Sequence, residues 1–178
     1  MVAARDRARA GVRPVAAAAC VASESRQLPD NGLTTLDPMR IHAIPVSAAL
    51  DDPGREYRAS EPDVPLRCCL RKSLPGEPVW LFRYAPPAGK GPYAELGPVF
   101  THVNCSTIPQ FDNLPVELLN NTRILRSYNA AGQIHSGQTV EPGSFNSTIE
   151  ELLNDPTVEQ LQIRSLSHGC YLFGISRS

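Results

Sequence analysis

The sequence predicts an α+β domain in which a single, mainly antiparallel sheet is built from hairpins and covered by two or three short helices. Three observations support this prediction. Three pairs of short apolar segments flank tight turns, two segments have helical spacing, and the composition is that of an ordinary globular protein, with 42% hydrophobic and 20% charged residues. A chain of 178 residues is also long enough to bury one core.

The first 38 residues differ in composition from the rest of the chain. They are rich in Ala and Arg, contain no aromatic residue and show no sustained apolar period. We therefore expect residues 1–38 to be a disordered or non-native N-terminal extension, and residues 39–178 to form a single domain. An arginine-rich start followed by an alanine-rich run also occurs in export signals, but this run is too weakly apolar for one.

The first strands follow directly after this extension. Residues 40–45 form a short apolar segment that a proline ends, which predicts a strand. Residues 46–65 contain enough Pro, Gly and Asp to predict a helical turn followed by irregular chain. Residues 66–72 and 78–84 flank Leu74-Pro75-Gly76-Glu77, where Pro presets one turn dihedral and Gly supplies the positive φ of a type II turn. We expect a first hairpin here.

Two helices and two further hairpins are predicted in the C-terminal half. Residues 115–120 predict a short helix, and residues 146–153 a better one, whose apolar side chains share one face and should cover the sheet. The hairpins join short segments across Asn129-Ala130-Ala131-Gly132 and across Ser167-His168-Gly169. Their paired segments are residues 123–128 with 133–140, and residues 161–166 with 170–176.

The charge balance and two sequence patterns indicate which classes of partner the protein does not bind. A formal net charge of -1, from 17 basic and 18 acidic residues, supplies no broad field toward phosphate backbones or anionic lipid. No apolar run approaches the roughly 20 residues that a membrane-spanning helix needs. The loop over residues 85–93 contains Gly-Lys-Gly without the spacing of a P-loop. We therefore expect no nucleic acid, no membrane and no cofactor.

The cysteines indicate a cytoplasmic protein. There are five, an odd number without regular spacing, which argues against a secreted disulfide framework and favours free thiols in a reducing compartment. Cys68 and Cys69 are adjacent and lie in a predicted strand, so we expect their side chains to point to opposite faces and not to bridge each other.

Four segments of the chain carry a family resemblance. They are PLRCCLRKSLPGEPVWLFRY, GPYAELGPVF, RILRSYNAAGQI and IRSLSHGCYLFGISR. Together, and in this order, they resemble the bacterial family catalogued as domain of unknown function 1203 (DUF1203), over about residues 39–178. The resemblance implies one compact bacterial domain and implies no general activity. The sequence departs from the family's pattern at Glu141-Pro142-Gly143, where an Asp-Gly step often follows the second hairpin, and in the long segment before Met39.

The third predicted hairpin contains the densest set of reactive side chains. Arg164, Ser167, His168 and Cys170 lie within seven positions of one another. Cys170 would be a nucleophile if a nearby cation stabilised its thiolate, and His168 would be a general base. The alternatives are that Cys170 is a packed core residue and that His168 is a solvent-facing turn residue.

Five arginines on predicted strands suggest a binding site for a small anion, held by two of them: Arg67, Arg71, Arg83, Arg126 and Arg164. Arg126 and Arg164 would hold a carboxylate or phosphate through paired N–H donors. Tyr128 shares a face with Arg126 by the two-residue period of a strand. Tyr93 and Glu95, in and just after the Pro/Gly-rich loop, would close over the ligand. The alternative is that the arginines form ion pairs on solvated strand faces.

A metal site is the third possibility. His102 and Cys105 are three positions apart and His168 and Cys170 are two apart, so the four would close a tetrahedral zinc site if the two segments met. Neither pair has the familiar spacing of a zinc knuckle, and scattered His and Cys produce such coincidences often. We therefore expect no metal.

These observations lead to one hypothesis and one alternative. The hypothesis is a small cofactor-independent enzyme of lyase, isomerase or cyclase type that acts on a small anionic metabolite. The residues assigned to proton transfer are Tyr128, His168 and Cys170, and those assigned to substrate binding are Arg126, Arg164 and Tyr93. The alternative is a noncatalytic module that binds a small molecule or docks on a protein partner through Trp80 and Phe82.

Overall fold

The computed structural model describes residues 39–105 and 113–178. The predicted extension over residues 1–38 lies outside the described residues. The strands are β1 (Met39–His42), β2 (Glu56–Ala59), β3 (Pro65–Leu66), β4 (Arg71–Lys72), β5 (Pro78–Tyr84), β6 (Gly97–His102), β7 (Arg123–Tyr128), β8 (Ile134–Val140), β9 (Gln160–Ser165) and β10 (Tyr171–Arg177). The α-helices are α1 (Val116–Leu119) and α2 (Phe145–Asn154), and two 3₁₀ helices span Val46–Ala49 and Gly91–Tyr93.

The ten strands form two sheets of five strands each. The first sheet has the order β1-β10-β9-β7-β8, and the second has the order β2-β5-β6-β3-β4. Neighbouring strands are antiparallel except β3 and β6, which run parallel. The predicted single sheet of an α+β domain is therefore wrong, because the part of the chain that the structure describes is mainly β and is divided between two sheets.

The error arises in the predicted first hairpin. The turn at Leu74-Pro75-Gly76-Glu77 is present, with Gly76 at φ +79°, but the strands on its two sides do not pair with each other. Residues 67–70 form a tight turn, closed by a 3.0 Å hydrogen bond from Leu70 N to Leu66 O, and this turn divides the predicted strand over residues 66–72 into β3 and β4. β5 instead pairs with β6 and with β2, a strand within the segment predicted to be irregular.

The C-terminal predictions are confirmed. β7 pairs with β8 and β9 pairs with β10, each in the antiparallel register of a hairpin, and both predicted helices are present. α2 buries Phe145 and Ile149 against Leu125, Ile163 and Phe173 of the first sheet. This is the larger core, and it covers one face of the first sheet. No helix among the described residues has the length and apolar character needed to cross a membrane.

The two sheets meet at the start of β10. Tyr171 is buried in one cluster with Phe82 and Val99 of the second sheet and with Ile44 from the chain after β1. The Nε–H of Arg67 in the second sheet donates a 3.0 Å hydrogen bond to the carbonyl of Tyr171. These contacts fix the second sheet beside the polar face of the first sheet.

Asp52 connects the chain after the first 3₁₀ helix to β5. Its carboxylate accepts hydrogen bonds from Arg83 Nη2 at 2.7 Å, from the Arg83 backbone N at 2.8 Å and from Gly54 N at 2.9 Å. The bonds from the Arg83 side chain and backbone, and then that from Gly54, hold the pKa of Asp52 well below its usual value. The ionised carboxylate is therefore favoured by folding.

We expect Asp52→Asn to lower the free energy of unfolding at neutral pH, because an amide loses the charge that Arg83 pairs with. The folded-state pKa lies below the unfolded value of about 3.9, so this contribution is complete above about pH 5 and is lost as the pH falls through the folded-state pKa. Urea unfolding at several pH values should show a difference from wild type that shrinks toward about pH 2. The exposed neighbour Asp51→Asn is the control, and a difference that stayed constant into acid would contradict this account.

Candidate functional site

A cleft of about 480 Å³ lies between the two sheets. Tyr84 and the segment that includes Glu95 line it from the second sheet's side. Arg126, Arg164 and residues 168–171 line it from the first sheet's side. The cleft therefore combines charged side chains from two neighbouring strands with the turn between β9 and β10.

Two arginines in the cleft converge on one carboxylate. Arg126 lies opposite Gln162 in the pairing of β7 with β9, so it shares a sheet face with Gln162 and with Arg164 two residues later. Arg126 Nη1 lies 2.5 Å from Glu95 Oε1, and Arg164 Nη2 donates to the other carboxylate oxygen. The group of Arg126, Arg164 and Glu95 carries one net positive charge.

Arg164 is the more deeply fixed of the two arginines. Its Nε and Nη2 donate to Gln162 Oε1 at 3.1 and 2.5 Å, and its Nη1 donates to the Gly169 carbonyl at 2.8 Å. Its side chain is 6% exposed, whereas that of Arg126 is 24% exposed. Arg164 is therefore a buried anchor, and Arg126 is the arginine that solvent reaches.

Glu95 is held in its ionised form by this arrangement. Burial acts to raise its pKa, but the hydrogen bond from Arg126 and the charges of Arg164 and Arg126 outweigh burial and lower it. Its side chain is still 38% exposed, the most exposed member of the three. Glu95 therefore serves as an internal counter-ion that remains in contact with solvent.

The loop that leads to Glu95 packs on the hairpin turn between β7 and β8. Lys90 N donates a 3.1 Å hydrogen bond to the carbonyl of Gly132 in that turn. Gly132 has φ +77°, and a Cβ atom at this position would lie 2.8 Å from the Ala88 carbonyl oxygen. A glycine is needed here for both the backbone conformation and the close approach of the loop.

The structure brings four of the six predicted site residues to the cleft. Arg126, Arg164, His168 and Cys170 all line it. His168 is exposed, with its Nδ1 2.9 Å from Ser167 Oγ, and Cys170 is half-buried. The Cys170 thiol contacts the backbone carbonyl of His168 at 4.0 Å.

The other two predicted residues lie elsewhere. Tyr128 shares a face with Arg126, as predicted, and its hydroxyl lies 3.4 Å from Arg126 Nη1. Its side chain is only 1% exposed, so it supports Arg126 from behind the cleft wall. Tyr93 lies in the second 3₁₀ helix, is 40% exposed and is not one of the described residues that line the cleft.

Arg67, one of the five arginines predicted to lie on strands, is a buried neighbour of the cleft and does not line it. It is 4% exposed, and its Nη1 donates to the Pro65 carbonyl at 2.5 Å in addition to the bond with Tyr171. Burial lowers the pKa of Arg67 to about 10. This buried cation bonds the carbonyl of Tyr171, the residue after Cys170. The prediction placed Arg67 on a strand, whereas the structure places it in the turn over residues 67–70.

The predicted four-residue zinc combination is not the one that the fold assembles. His168 and Cys170 line the cleft, whereas His102 and Cys105 lie beside Cys68 and Cys69. The prediction that Cys68 and Cys69 point to opposite faces of a strand is also wrong, because both lie in the turn over residues 67–70 and their sulfur atoms are 4.0 Å apart. None of the four cysteines among the described residues forms a disulfide bond with another of them.

These features define a class of protein: a mainly β domain of two sheets with an arginine-lined cleft between them. The chain belongs to the family described as Protein of unknown function (DUF1203), whose family model matches residues 63–177. The resemblance inferred from the four sequence segments is thereby confirmed. No curated protein and no solved structure matches the chain. The family description names no activity, so a function has to be argued from the site itself.

Proposed function

We propose that the protein binds a small carboxylated or phosphorylated molecule in the cleft, with Arg126 and Arg164 as its cationic anchors. One observation carries this proposal: the two guanidinium groups, from neighbouring strands, each contact a different oxygen of the Glu95 carboxylate. Two forked donors arranged around one carboxylate match the geometry by which arginines recognise carboxylate and phosphate ligands. Glu95 thus occupies the position that a ligand anion would take.

The relative exposure of the three side chains supports an exchange of Glu95 for a ligand. Arg164 is fixed by Gln162 and the Gly169 carbonyl, while Glu95 is the most exposed of the three. When a ligand anion arrives, the Glu95 carboxylate can therefore rotate into solvent while the arginines stay in place. The buried cation keeps a negative partner throughout, which avoids the large cost of an unpaired buried charge.

The remaining walls of the cleft suit the carbon skeleton of a small metabolite. The rings of Tyr84 and Tyr171 have centroids 5.8 Å apart, and Leu96 and Val99 add apolar surface. A volume of about 480 Å³ lies within the range of small-molecule sites, which combine apolar walls with a few fixed polar groups. The cleft therefore offers charge recognition at one end and apolar contact at the other.

A lyase, isomerase or cyclase is the second candidate, and the position of Cys170 favours it. Cys170 lines the cleft with Arg164 and precedes Tyr171, whose carbonyl accepts a hydrogen bond from the buried Arg67. A thiolate there would take a proton from the carbon next to a bound carboxylate, and the arginines would stabilise the charge that develops on the carboxylate oxygens. Docking on a partner through Trp80 and Phe82 has less support, since Phe82 is 2% exposed and Trp80 packs against Tyr57 and Arg55.

We expect Arg126→Met to weaken the binding of small anions by about tenfold or more, equivalent to about 1.4 kcal/mol, because it removes the accessible half of the arginine pair. Isothermal titration of wild type with citrate, succinate, inorganic phosphate and a sugar phosphate at low salt would identify a responsive anion, and the variant would then be compared. Arg58→Met is the matched control, because Arg58 forms an exposed ion pair with Glu56 on β2. Equal affinity of wild type and Arg126→Met, or no response to any of the four anions, would refute the proposal.

We expect Glu95→Gln to have the opposite effect and to bind the same anion more tightly than wild type. The variant removes the internal carboxylate that competes for Arg126 and Arg164, and it raises the net charge of the group by one. The gain in anion affinity should shrink as salt is added, because salt screens the electrostatic attraction that contributes to it. Unchanged or weaker binding in Glu95→Gln would mean that ligand and Glu95 do not share a position.

The enzyme candidate has a separate test. If an anion that binds is also turned over, Cys170→Ser should abolish turnover while leaving the affinity close to that of wild type. Full turnover in this variant would exclude Cys170 as the proton-transfer group and would leave the binding proposal intact.

A further inference from the structure

Three cysteines and one histidine form a cluster in the second sheet, away from the residues that line the cleft. Cys68 and Cys69 come from the turn between β3 and β4, His102 is the last residue of β6, and Cys105 follows three residues later. We call these four residues the thiol cluster. Cys68, Cys69 and His102 are 1%, 9% and 5% exposed, and Cys105 is half-buried.

We propose that the thiol cluster binds one Zn²⁺ ion. The sulfurs of its three cysteines and a ring nitrogen of His102 all lie within 4.8 Å of one another. Three thiolates and one imidazole form a donor set of structural zinc sites, and soft sulfur ligands favour Zn²⁺ over Mg²⁺ or Ca²⁺. The inference goes beyond the proposed anion binding and does not depend on it.

The distances agree with one tetrahedral ion. Zn–S bonds of about 2.3 Å and Zn–N bonds of about 2.0 Å place the ligand atoms of a tetrahedron about 3.5–3.8 Å apart. The separations are 4.0 Å between the Cys68 and Cys69 sulfurs, and 3.4 and 3.7 Å from these sulfurs to His102 Nδ1. Shifts of a few tenths of an ångström therefore suffice to bring these three atoms to a common ion.

The surroundings of the thiol cluster also resemble those of a metal site. The backbone N–H of His102 points at the Cys68 sulfur at 3.3 Å, a contact that stabilises a metal-bound thiolate. On the other side of the His102 ring, Nε2 lies 3.0 Å from Arg71 Nη2 and 3.6 Å from Glu77 Oε2, and Arg71 Nη2 also lies 2.5 Å from Glu77 Oε1. A carboxylate behind a ligating histidine is a recurrent outer contact at zinc sites, because it accepts the ring proton and orients the imidazole.

The protons can be accounted for in this arrangement. Ligation through Nδ1 requires the ring proton of neutral His102 to be on Nε2, so ion binding must turn the Arg71 donor away from Nε2 and let the ring proton face the Glu77 carboxylate. Each of the three thiols loses its proton when the ion binds, so binding one Zn²⁺ releases three protons. Four protein ligands complete the tetrahedron, and such closed sites are structural rather than catalytic. The ion would fix the turn over residues 67–70 to the end of β6.

Cobalt substitution tests the proposal on the intact chain. Protein unfolded with chelator and reductant and refolded with Co²⁺ should bind one ion per chain, with the near-ultraviolet thiolate-to-cobalt band and strong visible bands of a tetrahedral sulfur site. Added Zn²⁺ should displace Co²⁺ and abolish both the near-ultraviolet band and the visible bands. Protein produced in zinc-supplemented medium should contain about one zinc per chain by elemental analysis.

Two variants locate the ion. Cys105→Ser removes the most exposed ligand and should weaken Co²⁺ binding by at least about tenfold, since even outer-contact changes at metal sites cost about 10- to 100-fold. Cys170→Ser, which removes a cleft thiol, should leave the cobalt spectrum unchanged. Absence of a tetrahedral cobalt spectrum in wild type would overturn the proposal without recourse to any variant. So would a full spectrum in Cys105→Ser, or a disulfide within the thiol cluster of freshly purified protein.

Discussion

Arg164→Met should abolish the binding of small anions and lower the free energy of unfolding by about 2–4 kcal/mol. The variant removes the buried guanidinium that pairs with Glu95, and with it the hydrogen bonds to Gln162 and to the Gly169 carbonyl. The pair with Glu95 contributes less than a fully buried pair, because the Glu95 carboxylate is partly exposed and screened by solvent. The hydrogen bond to the Gly169 carbonyl also concerns the cleft, because Gly169 precedes Cys170 in the turn that lines it.

Urea unfolding and isothermal titration would measure the two effects of Arg164→Met independently. Arg58→Met is again the control, because its exposed ion pair should contribute no more than about 0.5–1 kcal/mol and should not affect binding. A large loss of stability with unchanged anion affinity would show that Arg164 only holds the sheet together. Unchanged stability would contradict the role of Arg164 as a buried anchor.

Gly132→Ala should also lower the free energy of unfolding by about 2–4 kcal/mol, through two separate effects. The left-handed backbone at φ +77° costs an alanine about 1–2 kcal/mol. In addition, the new Cβ would lie 2.8 Å from the Ala88 carbonyl oxygen, so the loop must move away from the turn. Because this loop leads to Glu95, we expect anion binding to change as well.

Gly76→Ala separates these two effects. Gly76 has nearly the same backbone conformation, with φ +79°, but a Cβ there would meet no atom within 4 Å. This variant should therefore lose only the backbone contribution and should leave anion binding unchanged. Equal losses of stability in the two variants would show that the contact between the turn and the loop adds nothing.

The sequence predicts those parts of the fold that depend on neighbouring residues. The two C-terminal hairpins carry their own turn residues, including Gly132, and the apolar face of α2 is visible as a helical period. The second sheet depends instead on distant pairings, such as Leu66 beside Phe100 in the parallel pair of β3 and β6. No local pattern encodes such a pairing, so one sheet was predicted where two exist.

The candidate sites also combine features that neighbouring residues determine with features that depend on distant pairings. The shared face of Arg126 and Tyr128 follows from strand periodicity, but the convergence of Arg164 on Glu95 requires β7 to pair with β9 and the loop to fold over both. The turn that contains Cys68 and Cys69 ends at Leu70 with φ +54°, a conformation that leucine rarely adopts. A leucine gives no turn signal, so the sequence identified His102 and Cys105 as possible metal ligands but did not identify Cys68 and Cys69 as their partners.

The turn over residues 67–70 has contacts in two directions. Arg67 bonds to Tyr171 at the wall of the cleft, while the next two residues belong to the thiol cluster. An ion that immobilised this turn would also fix the guanidinium that bonds to Tyr171. Thermodynamic reciprocity then requires that any factor by which the ion changes anion affinity equals the factor by which the anion changes ion affinity. Anion affinity measured with and without the bound ion would show whether these four consecutive residues couple the two sites.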